Sequence, residues 1–232
     1  MNCMKKLMIL FLIFGMMSGL WAQGQQETAD AFLKRVSNNY AKIVDYRARI
    51  IMTKQGVVQQ GTLYYVAPDR LKIEYTSPAK QVLLITSDLL QLYLPQYEVI
   101  MEQKLTTKDI EGMGGIGVGR GLEIMQKNYS VSYVNSARPQ PLSGGSSEMV
   151  VKLQLKWRVN NEGFRTLEMS IDPQTLLIRR VVGVTSMFET SQFDFLNIRL
   201  NSNIPKTLFV MELDDTSRVN RYPDFIYGTE AP

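Results

Sequence analysis

Apolar and polar residues alternate along most of this chain. Leu71, Ile73 and Tyr75 interleave with Arg70, Lys72 and Glu74. Met149, Val151, Leu153, Leu155 and Trp157 interleave with Lys152, Gln154 and Lys156, and Leu167, Met169 and Ile171 with Glu168 and Ser170. A period of two predicts strands with one face covered and the other wet. Residues 46–55 turn at Gly56 and return through Val57 to Val66, which is hairpin spacing. The stretch Gly61 to Leu94 reads as four consecutive short strands punctuated by Pro68, Pro78 and Ser87-Asp88. Further strands are expected at Glu98 to Gln103, Tyr129 to Val134, 176–186 and 190–200. In the last, Phe193 and Phe195 are out of phase with Leu196, Ile198 and Leu200, which predicts a bulge or strong bend. Some ten or eleven strands result, more than an open twisted sheet carries without curling, so strong curvature or a barrel is expected.

Helices are few. From Glu27 to Val44 the residues Phe32, Leu33, Val36, Tyr40, Ile43 and Val44 share one helical stripe opposite Lys34, Arg35, Asn38 and Lys42, with Thr28 as candidate N-cap. Residues 104–127 break the strand rhythm with GMGGIGVGRG, followed by Leu122, Ile124 and Met125, enough for one or two helical turns. Gly112, Gly114 and Gly117 satisfy G-x-G-x-x-G. A pyrophosphate cradle needs a buried strand leading in and a helix leading out, whereas the lead-in here, LTTKDIE, is polar. A flexible loop is the better reading. At the start, Lys5 and Lys6, the apolar run LMILFLIFGMMSGLW and Ala22 predict a cleaved secretory signal over 1–22 and one exported domain over 23–232.

Charge and rare residues narrow the chemistry. Removing Lys5 and Lys6 from 26 basic residues leaves 24 against 22 acidic ones, a net of +2, which gives no nucleic-acid footprint. With no histidine, and with Cys3 the sole cysteine, Ser-His-Asp and Cys-His catalysis, disulfides and most zinc sites fall away. The carboxylates Asp30, Asp88, Asp109, Glu111, Glu98, Glu102 and Asp214-Asp215 are scattered at turn-like positions. No catalytic residue, metal ligand or cofactor is assigned.

The order and spacing of the elements carry a further signal. In the first half it lies in Gly61, Leu63, Pro68, Leu71, Ile73, Tyr75, Pro78, Gln81, the run Val82 to Ser87, and Leu92-Tyr93-Leu94-Pro95. It continues in Met169-Ser170-Ile171-Asp172, Thr175, Leu177-Ile178, the strand Gln192 to Asn197, Asn203-Ile204-Pro205 and Leu208-Phe209. Taken together this pattern resembles that of the LolA-type lipoprotein carriers. The resemblance implies a mainly β chain: a strongly curved, half-open antiparallel β-barrel whose N-terminal helix and short lid helix cover an apolar cavity. Alternation nominates Ile50, Met52, Leu63, Tyr65, Leu71, Ile73, Tyr75, Leu84, Leu92, Leu94, Met169, Ile171, Phe193 and Phe195 as inward-facing, ligand-binding residues. Position in the family fold nominates Gly112, Gly114, Gly117, Leu122, Ile124 and Met125 as the lid. The implied function is that of a monomeric periplasmic carrier for the acyl chains of lipoproteins. Its implied partners are an inner-membrane lipoprotein-releasing transporter and an outer-membrane acceptor. Carriage of another lipid, a lipoprotein-sensing interaction role and a lipid-modifying enzyme are the alternatives. One departure stands out: the family arginine before the proline of the second strand is Ala67 here, before Pro68.

Overall fold

The computed structural model describes residues 27–105, 121–158, 163–211 and 219–223. Among them are two α-helices, α1 (Ala29–Tyr40) and α2 (Gly121–Asn128), and thirteen strands. The N-terminal half contributes β1 (Asp45–Lys54), β2 (Val57–Val66), β3 (Arg70–Ser77), β4 (Ala79–Thr86), β5 (Leu89–Leu94) and β6 (Val99–Lys104). The C-terminal half contributes β7 (Tyr129–Tyr133), β8 (Gln140–Pro141), β9 (Met149–Trp157), β10 (Phe164–Ile171), β11 (Ile178–Thr185), β12 (Thr190–Leu200) and β13 (Asn220–Tyr222). Eleven of these fall on the stretches read from the sequence as strands. β8 and β13, of two and three residues, are too short to leave a periodic trace.

All the strands belong to one sheet, ordered β13-β6-β5-β4-β3-β2-β1-β12-β11-β10-β9-β7, with β8 paired to β9. Each pairing is antiparallel except β13 with β6. The two halves join where β1 meets β12, and the order ends on β13 and β7 without closing. Buried residues of β1, β2, β3, β9, β10, β11 and β12 form one apolar cluster, so the sheet curls around its own inner face. The protein is thus mainly β, a half-open curved sheet with helices on the concave side.

Local chemistry explains the bends. In β12, Asn197 takes a positive φ of 52° and the pairing with β1 shifts between Arg47 and Arg49. That extra residue keeps Phe195 and Ile198 both against the core, and reconciles the two apolar phases of the strand. In β2 the register against β3 shifts at Gln60/Gly61. A Cβ on Gly61 would lie 2.3 Å from the Glu74 carbonyl oxygen, so only glycine lets β3 approach this closely.

Helix α1 begins at a side-chain cap: the Thr28 hydroxyl accepts from the Ala31 N–H at 3.2 Å. It stops at Tyr40, four residues before its apolar stripe runs out. Val44 is therefore 63% exposed, with its N–H donating to the Asn201 side-chain oxygen. Phe32, Leu33 and Val36 enter the core, while the buried Tyr40 hydroxyl accepts from the Ile178 N–H at 2.9 Å. Helix α2 adds Leu122 and Met125 to the same core.

A second, smaller cluster covers the convex face. Val66, Leu84 and Phe209 are buried there with Tyr64, Ile204, Leu208 and Met211 packed around them. Asp45, itself buried, accepts from the Ser202 and Asn203 N–H groups at 2.7 and 3.1 Å and so pins this C-terminal segment across the sheet.

Candidate functional site

The inner face can be followed row by row. One row runs Ala48, Leu63, Ile73, Leu83, Leu92, Met101 across β1 to β6. Another runs Leu153, Met169, Val181, Phe193, Met52 across β9 to β1. Between them lies Phe195, Ile50, Gly61, Tyr75. Every residue in these rows is aliphatic, aromatic, methionine or glycine.

Coverage is uneven for a geometric reason. At 1.5 Å per residue, the twelve residues of α1 span about 18 Å, the width of roughly four strands at ~4.8 Å spacing. Over β9 and β10 the inner residues Leu153, Leu155, Leu167, Met169 and Ile171 are completely buried. Toward β4, β5 and β6 the helices run out. Leu83, Ile85, Leu92, Leu94, Val99 and Met101 are only half-buried, as are Met52 and Phe193 at the far ends of β1 and β12. A partly covered apolar strip therefore lies on the concave side among the described residues. Hydrocarbon is the chemistry it suits.

Of the residues nominated from the sequence, Ile50, Leu63, Tyr65, Leu71, Ile73, Tyr75, Met169, Ile171 and Phe195 lie in the main buried cluster, and Met52 and Phe193 pack at its margin. Leu92 and Leu94 sit on the uncovered strip. Leu84 is a correction. It pairs with Lys72 on the convex face and is sealed under Phe209, while Leu83 and Ile85 point inward opposite Ile73 and Leu71. A register shift between Glu74 and Thr76 sets this phase, and the unbroken run Val82 to Ile85 carries no alternation that could reveal it. The same ambiguity hid Leu83, Ile85, Val99 and Met101. Tyr64 and Tyr65 divide: Tyr65 faces inward, and Tyr64 lies outside beneath the Arg47 guanidinium, 5.4 Å away. Of the lid residues, Leu122 and Met125 are buried and Ile124 half-buried in α2, whereas Gly112, Gly114 and Gly117 fall outside the described residues, as does the segment 1–22.

Ionisable groups on the inner side are tyrosines held neutral. Burial pushes the hydroxyls of Tyr40, Tyr75 and Tyr129 up to about 12, that of Tyr40 despite its bond from Ile178 and that of Tyr129 despite Trp157. Ala67, where the carrier family has arginine, gives its N–H to the Val44 carbonyl at 2.8 Å, and the Tyr65 hydroxyl donates to the Pro68 carbonyl at 3.2 Å. The junction of β2 and β3 is closed by backbone and tyrosine. Among the described residues no group of acidic, histidine or cysteine side chains is placed to hold a metal ion. No described helix is long and apolar enough to cross a membrane.

Fold and strip together define a class: a half-open antiparallel sheet curled around an apolar inner surface that its helices cover in part. No family model and no curated protein matches the sequence. Solved structures match the fold. An uncharacterized conserved protein from Thermus thermophilus superposes with a TM-score of 0.54 at 14% identity, over 83% of this chain and 98% of that one. MucB superposes with a TM-score of 0.51 at 10% identity, over 79% of this chain and 62% of that one. A LolA superfamily protein from Nitrosomonas europaea gives 0.41 at 11%, over 79% and 98%. The likeness to the Thermus protein and to MucB is one of fold.

Proposed function

We propose that this chain is a periplasmic, non-enzymatic carrier that shields the acyl chains of a lipoprotein or related lipid on its concave face. The half-buried strip of Leu83, Ile85, Leu92, Leu94, Val99 and Met101 carries the reading. A dozen methylenes left in water cost about 10 kcal/mol at ~0.8 kcal/mol each, so an acyl chain crosses an aqueous compartment only under cover. The strip supplies that cover without demanding that the core open. Chains seated on β4 to β6 leave α2 in place. Longer or additional chains require α2, with Leu122 and Met125, to lift away from the core, which makes it the lid of the proposal. Neutral tyrosines and apolar rows offer no directional bond to acyl carbon, so cargo is held by area and can be released.

The test is to purify the processed protein from a host that exports it, extract it with organic solvent and identify bound lipid by mass spectrometry. Titration of the stripped protein with a fluorescent fatty-acyl probe follows. Bound lipid and saturable probe binding are expected, with binding weakened at least tenfold in Leu92→Lys. An empty protein that also ignores the probe refutes the carrier reading.

A further inference from the structure

Three neighbouring hairpin ends meet at one end of the sheet, and two of them leave large apolar side chains in water. Val57 and Val58 at the β1–β2 tip are 64% and 52% exposed, and Met187 and Phe188 at the β11–β12 tip are 78% and 74% exposed. The tips are contiguous. Lys54 pairs with Ser191 across β1 and β12, and the Gln55 side-chain amide donates to the Glu189 carboxylate at 3.0 Å. Phe164 opposite Thr185 brings the end of the β9–β10 hairpin alongside.

Beside these tips lies a groove of about 500 Å³ lined by Lys156, Trp157, Arg158, Arg165, Val184 and Phe188. Among the described residues no carboxylate pairs with Lys156, Arg158 or Arg165. The nearby Lys54 and Glu189 neutralise each other at 2.9 Å, and the intervening residues 159–162 contribute one acidic side chain, Glu162. The surplus at this rim is positive. The Arg165 guanidinium stands 5.5 Å from the Phe188 ring centre, which ties the cations to the apolar tip.

We propose that this rim docks the protein on a bilayer bearing anionic phospholipid. Met187 and Phe188, with Val57 and Val58 beside them, enter the acyl boundary, while Lys156, Arg158 and Arg165 meet the phosphates. Each half of the surface answers one half of an anionic lipid. A second copy of the chain is a poorer fit, because four side chains expose only on the order of a few hundred Å², short of the ~800 Å² per partner that a stable dimer buries. A nucleic acid would leave the apolar tips in water. The inference stands apart from the carrier reading: it concerns an outer rim, not the concave strip.

The experiment measures partition of the purified protein onto vesicles of phosphatidylcholine with phosphatidylglycerol and onto vesicles of phosphatidylcholine alone. Partition onto the mixed vesicles is expected to fall roughly fivefold per cation replaced in Lys156→Gln and Arg165→Gln, and to weaken as salt is raised. Met187→Ser with Phe188→Ser is expected to lower it by tenfold or more. All these sites lie on the rim rather than in the core, so melting curves should be unchanged. Leu92→Lys, on the concave strip, should leave vesicle partition unaltered while weakening the acyl probe, which separates docking from cargo binding. Equal partition onto both vesicle types, or no effect of either set of rim variants, overturns the proposal. So does a dimer in sedimentation that Met187→Ser with Phe188→Ser dissolves.

Discussion

Adding one methyl group at Gly61 is expected to cost more stability than most surface truncations. In Gly61→Ala the new Cβ would stand 2.3 Å from the Glu74 carbonyl oxygen and 2.9 Å from the Tyr75 Cα, both backbone atoms that cannot rotate aside. Relief to an ordinary contact of about 3.4 Å requires β2 and β3 to part by roughly 1 Å, which takes hydrogen bonds of ~2.9 Å beyond bonding range. Two ladder bonds at about 1 kcal/mol each, plus loosened packing in the row Phe195, Ile50, Gly61, Tyr75, sum to roughly 2–4 kcal/mol. For a chain of this size that lowers Tm by roughly 5–15 °C. Calorimetry or urea unfolding reads it directly. Gly144→Ala, with open space around the new Cβ and an ordinary φ, is the control and should be nearly neutral. Gly56→Ala, with open space but a φ of +81°, isolates the conformational penalty of about 1 kcal/mol. A Gly61→Ala protein melting within a degree or so of the parent would refute the close approach of β2 and β3.

Other consequences follow from buried groups. Tyr40, Tyr75 and Tyr129 are held neutral to about 12, above the ordinary 10.0 of the free hydroxyl. Their contribution to stability is fully present below pH 10 and lost as pH rises through 12. Absorbance at 295 nm should therefore show a late-titrating class of tyrosines that ionises together with loss of circular dichroism; complete titration near pH 10 with the fold intact would contradict this. Asp172 moves the other way. Partial burial opposes its ionisation, but the N–H groups of Thr175 and Gln174, the Thr175 hydroxyl and Arg179 outweigh it and hold the carboxyl below its ordinary 3.8. Its stabilisation is present above that value and fades as pH falls through the lowered one, so Asp172→Asn should flatten the acid limb of the stability profile. Removing the pin in Asp45→Ala leaves the Ser202 and Asn203 N–H groups without their acceptor; a loss of about 1–3 kcal/mol is expected, with faster hydrogen exchange at those two amides. Phe209→Ala opens the convex cluster over Leu84 and should cost about 3–5 kcal/mol in urea unfolding, with acyl-probe binding at the concave strip retained.

Strand identity was legible wherever one face of a strand is wet. β3, β9 and β10 alternate cleanly because solvent holds Glu74, Lys152 or Glu168 to one side and the core holds Ile73, Leu153 or Met169 to the other. The capped start of α1 and the bend in β12 were legible for similar reasons: Thr28 precedes an apolar stripe, and two apolar phases cannot share a regular strand. What alternation does not encode is burial on both faces. Leu84 reads like its neighbours Leu83 and Ile85, and only the C-terminal segment folded across the sheet, more than a hundred residues later in the chain, makes its convex site dry.

Sequence alone therefore determined the curled, mainly β character of the protein, since strand-length stretches punctuated by turn residues, with clean alternation in β3, β9 and β10, are local properties that a one-sided sheet displays. The tertiary structure decided which apolar residues are core and which are strip. That depends on how far two short helices reach over β4 to β6, and on a register shift between β3 and β4, both set by distances between segments remote in the chain.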